Sequence, residues 1–370
     1  MQKTVITFVK KNMVLVIAAI AAIITSCIIT PDAEYLDYFD FKTLTCLFLT
    51  LAVICALKNI RFFSIIAHKI IMMTGNLRWL ALALVYITFI GSMLIANDMA
   101  LITFLPLGYY ALSETNNHKH MAYIFVLQNI SANLGGMLTP FGNPQNLYLY
   151  SAFKIPTGEF MSIMLKPFLL AIAMLTIACF LLKSEKLVIG EREWNKLNPK
   201  RVTLYLILFA YSIFIVFRVI PYWTGLILIP VVLFFVDKKA LARVDYGLLF
   251  TFAFFFVFSG NMSRIDAVSN LIQGLLEKST LLVSELSCQF ISNVPSAILL
   301  SRFTENYQEL LLGVNIGGTG TLIASLASLI TFNNFKYMNP GHTKEYISTF
   351  TILNVIFLGV MTAAAYFFFI

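Results

Sequence analysis

The residues of this chain best suited to chemistry are amides, hydroxyls, glycines and one carboxylate, all embedded in apolar sequence. Ala96-Asn97-Asp98 interrupts an apolar stretch over 79–112, and Ser292-Asn293-Val294-Pro295 interrupts another over 281–303. A glycine-rich segment follows each. The first contains Gly135-Gly136, Thr139, Gly142-Asn143 and Asn146; the second contains Gly317-Gly318, Thr321 and Ser325. A helix broken at such places exposes free N–H groups at one end and free C=O groups at the other. The N-terminal ends carry partial positive charge and suit an anion. The carbonyl ends, with Asn, Thr and Ser oxygens, suit a hard cation such as sodium. Glycine lets the backbone approach closely, and proline starts a new half-helix without wasting a donor.

Candidate binding residues on this basis are Asn97, Asp98, Thr139, Gly142, Asn143, Asn146, Ser292, Asn293, Gly318, Thr321 and Ser325. Asp98 is the one acidic residue that the pattern puts near the centre of a membrane, where a charge usually pairs, titrates or binds an ion. The alternative role for Asp98, Asn97, Asn143 and Asn293 is helix capping. For Gly135, Gly136, Gly317 and Gly318 the alternative is tight helix packing.

The elements that must position these residues are membrane helices. Of 370 residues, 59% are hydrophobic and 12% charged, whereas soluble domains are about half apolar and about a quarter charged. The apolar residues form runs near the ~20 residues a helix needs to cross a bilayer, and an isolated strand could not satisfy its backbone there. Such runs cover 12–30, 43–57, 167–182, 202–219, 222–236, 246–259 and 348–370. The first reads as a retained span, because Thr25-Ser26-Cys27 is a poor cleavage site. The net charge of +8 sits mainly in short loops, where it records orientation and does not call for nucleic acid. Cys27, Cys46, Cys55, Cys179 and Cys288 lack CxxC spacing and read as packing residues. No zincin, nucleophile-elbow, P-loop or dinucleotide motif is present, and no histidine partners Asp98, so nothing supports an intramembrane enzyme or a need for a cofactor.

Basic clusters before the first span, at Lys58–Arg78, at 183–201 and at Lys238–Arg243 fall on one side, and the acidic loop Asp32–Asp40 on the other. The positive-inside rule makes the basic side, with the N-terminus, cytoplasmic. Residues 61–74 and 263–276 are short, charged and amphipathic, as interfacial helices are. The stretches 79–112 and 281–303 keep the later loops consistent only as re-entrant hairpins from opposite faces. Broken helices over 121–150 and 310–335 follow. Aligning Gly135-Gly136 with Gly317-Gly318 puts Thr139 on Thr321, and Asp40 aligns with Asp245 ahead of an apolar span. The order span, interfacial helix, hairpin, broken helix, span thus occurs twice, in 1–182 and 220–370, with a linking loop and span over 183–219. The expected fold is an all-α polytopic membrane protein of two inverted repeats, with about nine full crossings plus two hairpins.

Ala96-Asn97-Asp98 and Ser292-Asn293-Val294 resemble the paired Ser-Asn-Thr hairpin tips of divalent-anion/sodium symporters. The segment from Gly135 to Asn146 is similar to the Gly-Thr-Pro-Asn-rich break of the wider ion transporter superfamily, which includes citrate-transporter-like and arsenite permeases and some sodium/proton antiporters. The resemblance covers nearly the whole chain in segment order. It implies a scaffold domain, often dimeric, and a transport domain that moves like an elevator. It also implies ion sites at the tips and breaks: Asn97, Asp98, Gly142 and Asn143 near one, as a sodium site, and Asn293 and Ser325 near the other. Asp98 and Val294 stand where that motif has threonine, which argues against a symmetric pair of sodium sites. The function implied is secondary transport of a small anion, such as a di- or tricarboxylate, coupled to sodium or protons. Cation/proton antiport or inorganic-anion efflux through Asp98 is the alternative, and the setting is the inner membrane.

Cysteines introduced near Glu114 and near Glu305 should label from opposite faces, inside and outside respectively. Labelling of both from one face would remove the inverted arrangement.

Overall fold

The computed structural model describes residues 13–187 and 197–370. Lys3, Lys10, Lys11, Asn12, Arg192 and Lys196, used above for orientation or span limits, lie outside the described residues. Those described form helices, with no strand beyond one isolated bridge, Asn76 to Lys186. Six helices are long and apolar enough to cross a membrane: Phe41–Asn59, Leu77–Ile95, Thr157–Phe180, Pro199–Val216, Tyr246–Ser263 and the last, Thr343–Phe369. Met13–Ile28 and Tyr222–Val236 are shorter apolar helices. The chain is a multi-pass helical membrane protein.

The first half runs α1 (Met13–Ile28), α2 (Phe41–Asn59), α3 (Phe62–Met72), α4 (Leu77–Ile95), α5 (Asn97–Glu114), α6 (Met121–Gly135), α7 (Pro144–Ala152) and α8 (Thr157–Phe180). Then comes α9 (Pro199–Val216). The second half runs α10 (Tyr222–Val236), the short α11 (Lys238–Ala242), α12 (Tyr246–Ser263), α13 (Asp266–Leu276), α14 (Thr280–Ile291), α15 (Asn293–Leu300), α16 (Tyr307–Ile316), α17 (Leu326–Met338) and α18 (Thr343–Ala364). The capping aspartates that align in sequence do the same work. Asp40 accepts from Thr43 N at 2.9 Å to start α2, and Asp245 accepts from Leu248 N at 3.0 Å to start α12. Such caps satisfy N–H groups that have no partner within the helix.

Boundaries differ from the sequence reading in two useful ways. The interruption in 79–112 is a single residue, Ala96, because Asn97 and Asp98 already belong to α5. The same holds for Ser292 between α14 and α15. The span at 167–182 begins ten residues earlier, at Thr157, with Pro167 inside α8 rather than at its start. A proline inside a helix removes one hydrogen bond, a loss that packed neighbours can offset in lipid.

The halves interlock. α1 packs on α12, and α10 packs on α2, so the first helix of each half lies on the second long helix of the other. Asn261 donates to Thr25 Oγ1 at 3.2 Å across the first pair. At its end Arg264 meets Asp32 at 2.7 Å, and this hydrogen bond holds the Asp32 carboxyl below its ordinary range. The most enclosed helix is α6, in which every residue is buried except Tyr123, which is partly so. Its buried set includes Gln128, Asn129, Ser131 and Asn133. Meanwhile Ile20, Ile24, Ile207, Phe214, Ile352 and Val355 face outward. Polar groups inside and apolar ones outside is the arrangement a lipid solvent favours.

α6 can sit this deep because it lies against α4 at a glycine. A Cβ on Gly135 would fall on the Phe89 carbonyl, 2.9 Å from its carbon. Gly135→Ala should therefore lower the stability of the purified protein by about 1–3 kcal/mol, read as an earlier thermal midpoint. An unchanged midpoint would mean that α4 and α6 are not held at this distance.

Candidate functional site

Each hairpin reverses at one residue in an unusual conformation. Ala96 has φ 63° and ψ 151°, and Ser292 has φ 75° and ψ 158°. Side chains rarely adopt this region, and holding one there costs about 1–3 kcal/mol. Immediately after each tip an asparagine turns back on its own helix. Asn97 Oδ1 accepts from Asp98 N, and Asn293 Oδ1 from Val294 N, both at 2.9 Å.

The breaks are equally matched. α6 gives way to a turn at Gly136–Leu138 before α7 restarts at Pro144, and α16 ends at Ile316 before α17 restarts at Leu326. Thr139 Oγ1 donates to Met93 O at 2.9 Å, and Thr321 Oγ1 to Gln289 O at 3.0 Å. These two threonines clip each break to the first arm of its hairpin and do not line the cavity described below. Gly142 and Gly136 are in backbone contact; a Cβ on Gly142 would lie 2.8 Å from Thr139 Oγ1 and 2.9 Å from Gly136 Cα. A Cβ on Gly318 would lie 3.1 Å from Asn293 Nδ2.

Two asparagines that the sequence reading did not single out hold these parts together. Asn133 Oδ1 accepts from Asn97 Nδ2 at 3.2 Å and from Ser325 Oγ at 2.7 Å. Asn315 Nδ2 donates to Asn146 Oδ1 at 2.6 Å, while its Oδ1 takes Asn143 Nδ2 at 3.3 Å. Each lies two residues before its Gly-Gly pair and reaches across to the other half. That shared spacing was the available signal. Asn129, another buried amide of α6, adds a third crossing to Ser328 Oγ at 3.3 Å.

The tips and restarts meet at a small cavity of about 40 Å³. Its polar lining is Asn97, Asp98, Gln145, Thr251, Ser292, Asn293 and Ser325. Gly318 lies behind it against Asn293, whereas Asn143 and Asn146 meet Asn315 and do not line it. Among the linings, the first turns of α5, α7, α15 and α17 all point here, so four helix N-termini converge. A second pocket of about 20 Å³ touches the far side of Asp98 and is lined also by Thr50, Phe141 and Asp245. Among the described residues, no lysine, arginine or histidine lines either space.

Capping does not account for Asp98. Its Oδ1 is buried and has no hydrogen-bond partner. Asn143 Oδ1, Gln145 Oε1 and Asn133 Nδ2 are also buried without partners. An unsatisfied buried polar atom costs about 1–3 kcal/mol, and exceptions of this kind gather where a ligand completes the set. Oxygens, a carboxylate's among them, are the ligand type that a hard cation takes. Asp98 is also not the sole acidic group at depth, since Glu285 is buried on the apolar helix α14.

A family model described as "Citrate transporter" matches residues 4–311. The chain belongs to the citrate transporter family. Within curated proteins, this family member is 33% identical over 310 residues to an uncharacterized transporter of Methanocaldococcus jannaschii, covering 82% of this chain and 83% of that one. It is 27% identical over 282 residues to the inner membrane protein YbiR of Escherichia coli, covering 73% of each. The likeness to the citrate-transporter group expected from the hairpin tips and first break therefore holds, and this citrate transporter family protein is a membrane transporter.

Asn133→Ala removes the acceptor shared by Asn97 and Ser325. It should cost about 1–3 kcal/mol of stability, and combining it with Ser325→Ala should cost less than the sum of the two. Additive losses in thermal midpoints would mean that Asn133 does not join the halves.

Proposed function

We propose that this chain is a secondary active transporter for a small anion, coupled to a sodium or proton gradient. The carrying observation is the single cavity where four helix N-termini surround one unpaired carboxylate oxygen. Helix N-termini favour an anion. Asp98 with the oxygens of Asn143 and Gln145 favours a cation, and Asn97 and Gly142 adjoin them. Among the described residues no basic side chain lines the cavity, so the dipoles and a co-bound cation together would balance an anionic substrate. The family description supports a di- or tricarboxylate.

A space of about 40 Å³ accepts a water or a bare ion, which needs about 10–15 Å³, but no tricarboxylate. Substrate entry therefore requires the tips and restarts to separate from α1, α2 and α12. An elevator-like movement of the unit built from both hairpins and both breaks fits this need. In the same reading α4–α5 and α14–α15 are re-entrant hairpins of two inverted halves, 1–182 and 220–370, joined by 183–219. The N-terminus is cytoplasmic, the membrane is the inner one, as the printed name of the Escherichia coli relative supports, and two copies associate through the scaffold helices. The small cavity with one carboxylate also favours a second reading, exchange of a cation for a proton, or inorganic-anion efflux, with Asp98 as the ion's ligand.

Asp98→Asn keeps size and deletes charge. In proteoliposomes loaded with citrate, succinate or phosphate, the variant should stay folded yet lose accumulation driven by a sodium or pH gradient. Unchanged gradient dependence would end the coupling role of Asp98. Transport of none of the anions by the parent, with sodium/proton exchange instead, would select the second reading.

A further inference from the structure

Glu285 lies on α14, seven positions before the hairpin tip, or about 10 Å along the helix. It is 6% exposed. Its Oε1 has no hydrogen-bond partner, and its Oε2 sits 2.7 Å from Thr362 Oγ1 on α18. A groove of about 690 Å³ between α14 and α18 opens beside it. That groove is lined by Leu282, Leu286, Val355, Leu358 and Phe367 and, among the described residues, carries no lysine, arginine or histidine.

Hydrogen counting bears on the state of this group. Thr362 Oγ1 lies 2.7 Å from Glu285 Oε2 and also 2.8 Å from the carbonyl of Leu358. A hydroxyl has one proton to donate. Leu358 is a carbonyl one turn back on the same helix, the usual recipient for a helical threonine. Each short contact gets a proton of its own when the carboxyl is protonated and donates to Thr362 Oγ1, which donates onward to Leu358 O; with an ionised carboxylate the two acceptors share one proton. An ionised carboxylate would instead be left beside apolar side chains with neither a cation nor a committed donor, which is costly.

The other half shows that the position needs no carboxyl for packing. Gly317 lies against Glu285, where a Cβ would be 2.8 Å from Glu285 Cα, just as Gly135 lies against Phe89. Phe89 precedes its own tip by the same seven residues. It meets the last helix of its half through Phe168, with ring centroids 4.9 Å apart. The first half thus uses a ring pair where the second uses an acid and a hydroxyl.

We infer that Glu285 is a proton-binding site in its own right, apart from the Asp98 cavity, and that its bound proton fastens the second hairpin to α18. The bond to Thr362 is the one side-chain hydrogen bond between α14 and α18 among the described residues. One turn on, Gln289 donates to the carbonyls of Gly317 and Thr319 at 2.9 and 3.2 Å and accepts from Thr321 N at 2.8 Å. The arm that carries Glu285 therefore also carries the backbone of the second break, and loss of the proton leaves one hydroxyl proton for both the carboxylate and Leu358 O, which changes how that arm is held to α18. The other ionisable groups nearby are Cys288 on α14, Tyr366 beyond α18 and, one turn towards the start of α14, Glu309 of α16, which accepts from Leu281 N at 2.9 Å. Lys166 of α8 reaches only the Phe368 carbonyl, at 3.4 Å.

This site can be read without knowing the substrate, so its test is separate from that of the transport reading. Infrared spectra of the full chain in lipid nanodiscs should show the carbonyl band of a protonated carboxylic acid at neutral pH. The band should persist in Asp98→Asn, vanish in Glu285→Gln, and convert to a carboxylate band as pH rises. Thr362→Val should shift it, which tests the same bond if Glu285→Gln does not fold. Because the proton is held in the folded arrangement, raising pH should lower the thermal midpoint of the parent relative to Glu285→Gln. A parent spectrum identical to that of Glu285→Gln, or a band unmoved by Thr362→Val, would overturn the inference.

Discussion

The structure depends on one constraint: a helix that stops away from water must find partners for its free N–H and C=O groups. Two helices stop in the buried centre here, and the surroundings are organised around their ends. Asn146 donates to the carbonyls of Gly136 and Met137 at 3.2 and 3.3 Å, answering the end of α6. Gln289 answers the end of α16 through the carbonyls of Gly317 and Thr319. The tip of the second hairpin adds Asn293 N to Ala324 O at 2.9 Å. Amides serve here because they donate and accept at once without a charge to desolvate. The glycines serve because each backbone must come close enough to be reached.

The same accounting leaves a remainder. Most polar atoms around the breaks are paired, and those that are not gather beside the cavity at Asp98, Asn133, Asn143 and Gln145. Other buried atoms without partners, such as Ser113 Oγ, Asn261 Oδ1 and Glu285 Oε1, are spread singly over the fold, whereas these four belong to residues at or next to the tips and breaks. The strained tips at Ala96 and Ser292 adjoin the same space. Strain and unmet hydrogen bonds are tolerated together where packing from several elements holds them, and here α5, α7, α15 and α17 all do so.

The halves match in backbone and differ in charge. Thr139 and Thr321 make the same clip, and Asn133 and Asn315 the same crossing. Yet Asp98 stands opposite Val294 at the tips, and Phe89 opposite Glu285 on the first arms. Each half therefore has one carboxyl that the other lacks, in a different place.

Much of this was legible in the sequence. Apolar run length set the membrane class, since lipid demands closed backbone bonding and leaves few alternatives to helices. Asp40 and Asp245 marked the helix starts, and the Gly-Gly pairs marked the breaks, because those residues act on the backbone within a few positions of themselves. What the sequence left undecided was partnership. Asn133 and Asn315 look like any asparagine in an apolar run until the other half is in place. Asp98 read first as an ion-binding group with helix capping as the alternative, and only the packed helices left its oxygen without a donor. Glu285 followed a plain helical pattern, and its meaning came from Thr362, far along the chain and on another helix. Local backbone rules act over one or two turns and are written in adjacent residues. Hydrogen bonds between side chains distant in sequence exist only once the helices that carry them have packed.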